Sequence, residues 1–274
     1  MSDSIAFMKN YTSLGVGGKA TIRILDGNAN VEEVLLGASR VIGNGTNLLV
    51  SDKGLDGVTV INRLRTLTIN GESVYASSGV TLPMLALFCA NNNLSGLEWA
   101  CGIPGTVGGA IKMNASAFGG EIASVIDYAD LIIDGRKIRL TANDLGFSYR
   151  SSVVKKEYFI VGASFRLKRE KKSNVLAKII QISERRKAVQ PVGKSAGSTY
   201  LKGEMSAGWY IEKAGLKGRR IGGAVVSQKH ANFIINDRNA TASEIYELMQ
   251  IIESTVYDTF GVRLKREIEL IGEF

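Results

Sequence analysis

Four stretches of this chain gather residue types that could do chemistry. Gly43-Asn44-Gly45-Thr46-Asn47 lies between two short runs that read as strands, Arg40–Ile42 and Leu48–Val50. Two glycines in such a loop can aim successive N–H groups at one anion, so it is either a phosphate-type cradle or a plain glycine hairpin. The second stretch runs from Gly102 to Gly120, and six of its nineteen residues are glycine. In regular structure each glycine loses about 0.5–1 kcal/mol relative to alanine, and the usual compensation is φ > 0 or close approach to a ligand. Ile103, Val107, Ile111 and Met113 speak against a solvated loop, so a ligand is expected here. In the third stretch, Lys194–Tyr200, Ser198 follows Ala-Gly and is either a hydroxyl for a bound molecule or a helix cap. The fourth is Tyr149-Arg150-Ser151-Ser152, whose arginine, read alone, is a surface residue.

Other chemistries are excluded. His230 is the single histidine, which rules out a multi-histidine zinc site and a two-histidine iron site. A serine hydrolase would depend on His230, and no Gly-x-Ser-x-Gly elbow is present. A P-loop fails because Ser13 and Ala20 flank Gly18-Lys19 where glycine and Ser/Thr are needed. A Rossmann loop fails because a strand, rather than a helix, follows Gly45. The two cysteines, Cys89 and Cys101, are spaced for neither a zinc knuckle nor a disulfide framework, and a reducing cytoplasm is expected. No apolar run approaches the roughly 18–20 residues of a membrane span. Met1-Ser2-Asp3-Ser4-Ile5 has no basic lead into an apolar stretch, so no signal peptide is expected. The formal charge of +8 suits nucleic acid, small anionic ligands or a merely solvated basic face. No zinc finger, RNA-recognition motif or continuous basic stripe appears, and no nucleic-acid partner is expected.

The elements that must position these residues mix helix and strand without regular βαβ alternation, which argues for an α+β fold. Helices are expected over Asn30–Ala38, Leu82–Asn93 with Thr81 as cap, Ser173–Ala188 with Leu176, Ile179, Ile180 and Ser183 on one face, and Ser206–Ala214 stopped by Gly215. Thr241-Ala242-Ser243-Glu244 is a capping box opening a helix with Ile245, Leu248, Met249, Ile252 and Val256 on one stripe. Asn70-Gly71 and Asp134-Gly135 mark hairpins, Tyr158–Leu167 is a strand, Gly223–Val226 and Asn232–Ile235 pair, and the chain ends in a strand, Arg266–Ile271. Composition shifts at Gln190–Gly193, a candidate domain boundary.

Taken together, the blocks resemble one family. Thr12–Gly18, Gly43–Leu49, Gly96–Gly120, Tyr149-Arg150, Arg185–Pro191, Ser195–Ser198, Ala214–Ala224, His230–Phe233 and Glu267 stand in the order found in the UDP-N-acetylenolpyruvoylglucosamine reductases. The resemblance covers roughly residues 10–272. It implies an FAD-binding module of the vanillyl-alcohol-oxidase type, split into subdomains 1–66 and 67–189, and a substrate domain 190–274 whose last strand returns to the active site. It implies FAD and NADPH as cofactors and a small UDP-sugar as partner; a monomer is expected, although the sequence itself does not give the oligomeric state. NADPH would reduce FAD, which would pass hydride to the terminal carbon of an enolpyruvyl ether, giving UDP-N-acetylmuramate for peptidoglycan.

By the same resemblance the catalytic residues are Arg150, Ser198 and Glu267. Arg150 would stabilise negative charge developing on the carbon and its carboxylate. Ser198 would deliver the proton. Glu267, a carboxylate beside a developing enolate, must be protonated or paired with a cation. FAD would contact Gly43, Asn44, Gly45, Thr46, Asn47, Gly102, Ile103, Pro104, Gly105, Gly108, Gly109, Asn114, Gly119 and Ile122. Substrate would contact Tyr149, Arg186, Lys187 and Lys217, whereas His230 is expected to hold structure. The chain departs from the pattern at Lys202, Gly203 and Glu269, which puts substrate contacts there in question, and Phe118 replaces a common tyrosine. The short interval from Arg150 to Ser198 leaves no room for an extra substrate-covering loop, which places the chain with the compact branch.

Overall fold

The computed structural model describes residues 3–27 and 29–274, so Met1 and Ser2 of the amino-terminal stretch lie outside the described residues. The backbone packs into two units. Unit 1 holds Arg23–Asn44 and Thr59–Arg186; unit 2 holds the described residues up to Ile22, Gly45–Val58 and Lys187–Phe274.

Unit 1 is built on a five-stranded antiparallel sheet in the order Arg136–Thr141, Ile126–Ile133, Phe159–Arg166, Ser73–Ser77, Leu67–Asn70. Both expected hairpins form. Asp134 and Gly135 have φ of 49° and 73° and Gly71 has φ of 62°, the left-handed conformations such tight turns demand. Helix α1 spans Val31–Leu35, shorter than expected, because Gly37 turns at φ 70° and Ala38 already begins the strand Ala38–Ile42. Helix α2, Leu82–Asn91, starts at the Thr81 cap, which accepts from Met84 N–H. Its Leu82, Leu85 and Cys89 join Val74, Ala129, Leu131 and Phe165 in one core. Helix α3, Val107–Lys112, interrupts the glycine-rich stretch and sinks Val107, Ala110 and Ile111 into that core. Helix α4, Lys172–Val189, buries Val175 and Ile179 beside Ala90, while Ile180 is 58% exposed. The buried stripe is therefore an i, i+4 pair one position from the expected face.

Unit 2 pairs Leu48–Val50 in parallel with Glu269–Ile271, so the chain's final strand lies beside the run that follows the first glycine loop. Helix α5, Ala207–Lys213, is capped by Ser206 and left through Gly215 at φ 72°. Arg220–Ile221, Ala224–Val226 and Ile234–Asn236 form an antiparallel sheet. Helix α6, Ala242–Phe260, has the full capping box at Thr241 and Glu244 and a left-handed Gly261 at its end. Asp52 also accepts from the Ala242 and Ser243 N–H groups, both at 2.9 Å. The expected stripe Ile245, Leu248, Met249, Ile252 and Val256 is at most 1% exposed. At about 1.5–3 kcal/mol of transfer free energy per buried side chain, it holds much of this unit together.

Candidate active site

In unit 1 the two glycine-rich stretches touch. Asn44 Nδ2 donates to Pro104 O at 2.9 Å, and Arg63 NH1 donates to Asn44 Oδ1 at 3.1 Å. A Cβ on Gly43 would fall on the Thr106 side chain, so only glycine lets the first loop lie this close to the second. The turn before α2 joins them. Gly108 N–H donates to Ser78 O at 2.8 Å, a Cβ on Gly108 would meet Ser78 Cβ at 3.0 Å, and Asn62 Nδ2 donates to Ser78 Oγ at 2.7 Å. Among the described residues, no acceptor takes the N–H groups of Asn44, Gly105, Thr106 or Gly109. Uncommitted backbone donors on glycine-rich turns are the donor set a diphosphate needs. Arg63, Ser78 and Thr106 escaped the sequence reading; the one signal for them was Ser77-Ser78-Gly79 just before a capped helix.

Two residues expected at the cofactor are engaged within the protein. Buried Asn114 (φ 42°) donates through Nδ2 to Glu121 Oε2 and Ser148 O at 3.1 and 3.2 Å and accepts Ala123 N–H at 3.0 Å. Ile122 is fully buried in the core. Gly119 turns at φ 87° with open space where a Cβ would stand. Gly102 lies under Arg186, whose Cδ a Cβ would approach to 2.6 Å. Burial pushes the Arg186 guanidinium below its usual pKa, and no carboxylate among the described residues pairs with it. Ile103 packs against the core, and Tyr149 is 57% exposed. Arg150 adopts a left-handed φ of 56°, and its NH1 donates to Ser116 Oγ at 2.8 Å.

In unit 2 Asn47, Ser198 and Glu267 come together. Asn47 Nδ2 donates to Glu267 O at 2.9 Å, and its carbonyl accepts Glu269 N–H at 2.9 Å. Glu267 N–H donates to Thr199 O at 2.8 Å. Asn232 fixes the same segment: its carbonyl accepts Thr199 N–H at 2.8 Å, its Oδ1 accepts Tyr200 N–H at 3.0 Å, and its Nδ2 donates to Tyr200 O at 2.8 Å. Buried Tyr200 donates its hydroxyl to Met249 O at 3.0 Å, and burial raises its pKa. Ser198 stands between this pinned segment and Gly197 (φ 78°), and its hydroxyl makes no hydrogen bond to the described residues. It is not a helix cap; α5 begins at Ala207. Ser13 ties the neighbouring loops, donating from N–H to Gly45 O at 3.1 Å and from Oγ to Ser195 O at 2.7 Å. Gly45 turns at φ 59°, and Thr46 follows it into the strand at Leu48.

Lys217 Nζ pairs with Glu212 at 2.8 Å. Lys229, missed in the sequence, donates from Nζ to Lys187 O. Between them His230 accepts Asn232 N–H on Nδ1 at 3.3 Å and packs edge-on to Phe233. Burial lowers its pKa, with nearby Lys217 acting in the same direction. Cys89 is inert: burial pushes its thiol up to about 12.

Residues 38–139 match the FAD binding domain family, and residues 189–271 match the C-terminal domain of UDP-N-acetylenolpyruvoylglucosamine reductase. An FAD-binding domain with a second α+β domain defines a flavin-dependent oxidoreductase, and the uncommitted donors on the glycine turns fit that cofactor. A UDP-N-acetylenolpyruvoylglucosamine reductase from Caldanaerobacter subterraneus subsp. tengcongensis is 39% identical over 97% of this chain and 92% of its own. One from Thermotoga sp. (strain RQ2) is 40% identical over 95% of this chain and 90% of its own. The crystal structure of the Thermus caldophilus reductase superposes with a TM-score of 0.88 at 34% identity, covering 99% of this chain and all (100%) of that one. The chain belongs to the UDP-N-acetylenolpyruvoylglucosamine reductase family. No helix among the described residues is long and apolar enough to cross a membrane.

Proposed function

We propose that this protein reduces UDP-N-acetylenolpyruvoylglucosamine to UDP-N-acetylmuramate with NADPH as reductant. The observation that carries the reading is the Ser198 hydroxyl, which makes no hydrogen bond to the described residues and directly precedes Thr199, whose carbonyl accepts Glu267 N–H. When bound, FAD supplies hydride, taken from NADPH, to the terminal carbon of the enolpyruvyl group.

The chain's own residues do the rest. The loops 43–47 and 102–109 would cradle the cofactor's diphosphate through backbone N–H groups, with Asn114, Gly119 and Ile122 shaping the wall beyond them. Arg150 would oppose the negative charge that develops on the substrate's carboxylate and adjacent carbon. Ser198 would release its proton to that carbon; a hydroxyl is a weak acid, but an enolate is basic enough to accept from one that is positioned. Glu267 would serve in its protonated form or beside a cation. Tyr149, Arg186, Lys187 and Lys217 would hold the UDP portion, and the absence of a paired carboxylate at Arg186 among the described residues supports an anion there. Residues 1–66 and 67–189 would be the two FAD-binding subdomains, and 190–274 the substrate domain.

The test is optical. The purified protein should carry a flavin absorption band that NADPH bleaches and that UDP-N-acetylenolpyruvoylglucosamine then restores without oxygen. A colourless protein that takes up no FAD, or a bleached one that this substrate leaves bleached, would contradict the proposal.

A further inference from the structure

Arg150 is held in a conformation that arginine disfavours, and one short segment holds it. Ser148 and Ser151 close a tight turn, with Ser148 N–H on Ser151 O at 3.0 Å and Ser151 N–H on Ser148 O at 3.2 Å. Tyr149 and Arg150 are its central residues, and Arg150 takes the left-handed φ of 56° that favours glycine. Such a conformation persists only where the surroundings over-determine it.

Residues 112–116 do so at three points. Asn114 Nδ2 donates to Ser148 O at 3.2 Å. Ser152 Oγ donates to Lys112 O at 2.9 Å. Ser116 Oγ accepts from Arg150 NH1 at 2.8 Å. The first two fix the backbone of the turn; the third alone reaches the guanidinium. Asn114 is itself fixed, since its remaining amide hydrogen and its carbonyl are used by Glu121 and Ala123. Ser116 sits in a two-residue strand, Ser116–Ala117, paired with Gly120–Glu121, so its hydroxyl is set by backbone pairing as well as by Asn114 two residues earlier.

We infer that Ser116 is a positioning residue: its hydroxyl orients the Arg150 guanidinium for the acid group of the substrate. The inference rests on the role proposed for Arg150. A hydroxyl suits the task because it accepts from the guanidinium without neutralising it, whereas a carboxylate at 116 would compete with the substrate's own.

The test compares Ser116→Ala, Ser116→Thr, Arg150→Ala and the Ser116→Ala/Arg150→Ala double variant, each loaded with FAD. Flavin reduction by NADPH and flavin reoxidation by the enolpyruvyl substrate are followed separately. Ser116→Ala should leave the first unchanged and slow the second about tenfold or more, the scale of a lost hydrogen bond to a charged group. The loss should appear in the maximal rate, Ser116→Thr should restore it, and removing Ser116 should cost nothing further once Arg150 is alanine. A slow Arg150→Ala beside a wild-type Ser116→Ala would overturn the positioning role alone. An equal Ser116→Ala loss with and without Arg150 would overturn it too. A wild-type rate in Arg150→Ala would instead remove the role proposed for Arg150, and this inference with it.

Discussion

In the glycine loops of unit 1 the groups offered to a ligand belong to the backbone, and side chains keep that backbone in place: Asn44 on Pro104, Thr106 against Gly43, Asn62 on Ser78. Around Ser198 in unit 2 the arrangement is reversed. There the offered groups are side chains, and the backbone carrying them is pinned by Asn232 and by the pairing of Thr199 with Glu267. A diphosphate needs several donors and little chemistry, which glycine turns supply. A proton transfer needs one hydroxyl held within a fraction of an ångström, which a segment pinned by backbone hydrogen bonds can supply.

Three changes would break or sharpen this contrast. The largest effect belongs to Gly43→Ala. Its methyl would strike Thr106, displace the loop and weaken FAD binding about 10²-fold, and Thr106→Ala in the same chain should recover part of the loss. Titration of the apoprotein with FAD measures both, and undiminished affinity in Gly43→Ala would mean that this loop is not a cradle. Next comes Asn232→Ala. It strands buried Tyr200 N–H and C=O groups and should lower unfolding free energy by about 2–4 kcal/mol in a denaturant titration. FAD should stay bound while the step proposed for Ser198 slows; loss of FAD affinity instead would erase the distinction between the two regions.

The smallest effect is His230→Gln. Burial lowers the folded-state pKa of His230 below the unfolded value of about 6.5. The unfolded chain therefore binds the proton first, so the stabilising contribution is present above about pH 6.5 and is lost as pH falls below it through the lower folded-state pKa. Removing the titrating ring should make stability fall less steeply as pH drops below about 6.5. A variant with the same acid-side slope would show that His230 does not set it.

Local signals were legible in the sequence. The Thr241–Glu244 capping box, the Asp134-Gly135 and Asn70-Gly71 turns and the Thr81 cap all form as read, because each depends on residues within a few positions. What could not be read is set from far away. Helix α3 contains Gly108 and Gly109, poor helix formers, and exists because Val107, Ala110 and Ile111 reach a core contributed by distant strands. The parallel pairing of Leu48–Val50 with Glu269–Ile271 joins opposite ends of the chain, and nothing local announces it. The glycine loops were visible for the same reason that they work: their composition is abnormal. Asn232 and Ser116 were invisible because a polar residue that supports another looks like any surface polar residue until its partner is placed.

The central claim is that the Ser198 hydroxyl is the proton donor of the substrate half-reaction, and Ser198→Ala tests it most directly. With FAD bound, the variant should be reduced by NADPH at the wild-type rate, while its reoxidation by UDP-N-acetylenolpyruvoylglucosamine slows about 10²–10⁴-fold. Equal loss in both half-reactions, or reoxidation at the wild-type rate, would contradict it.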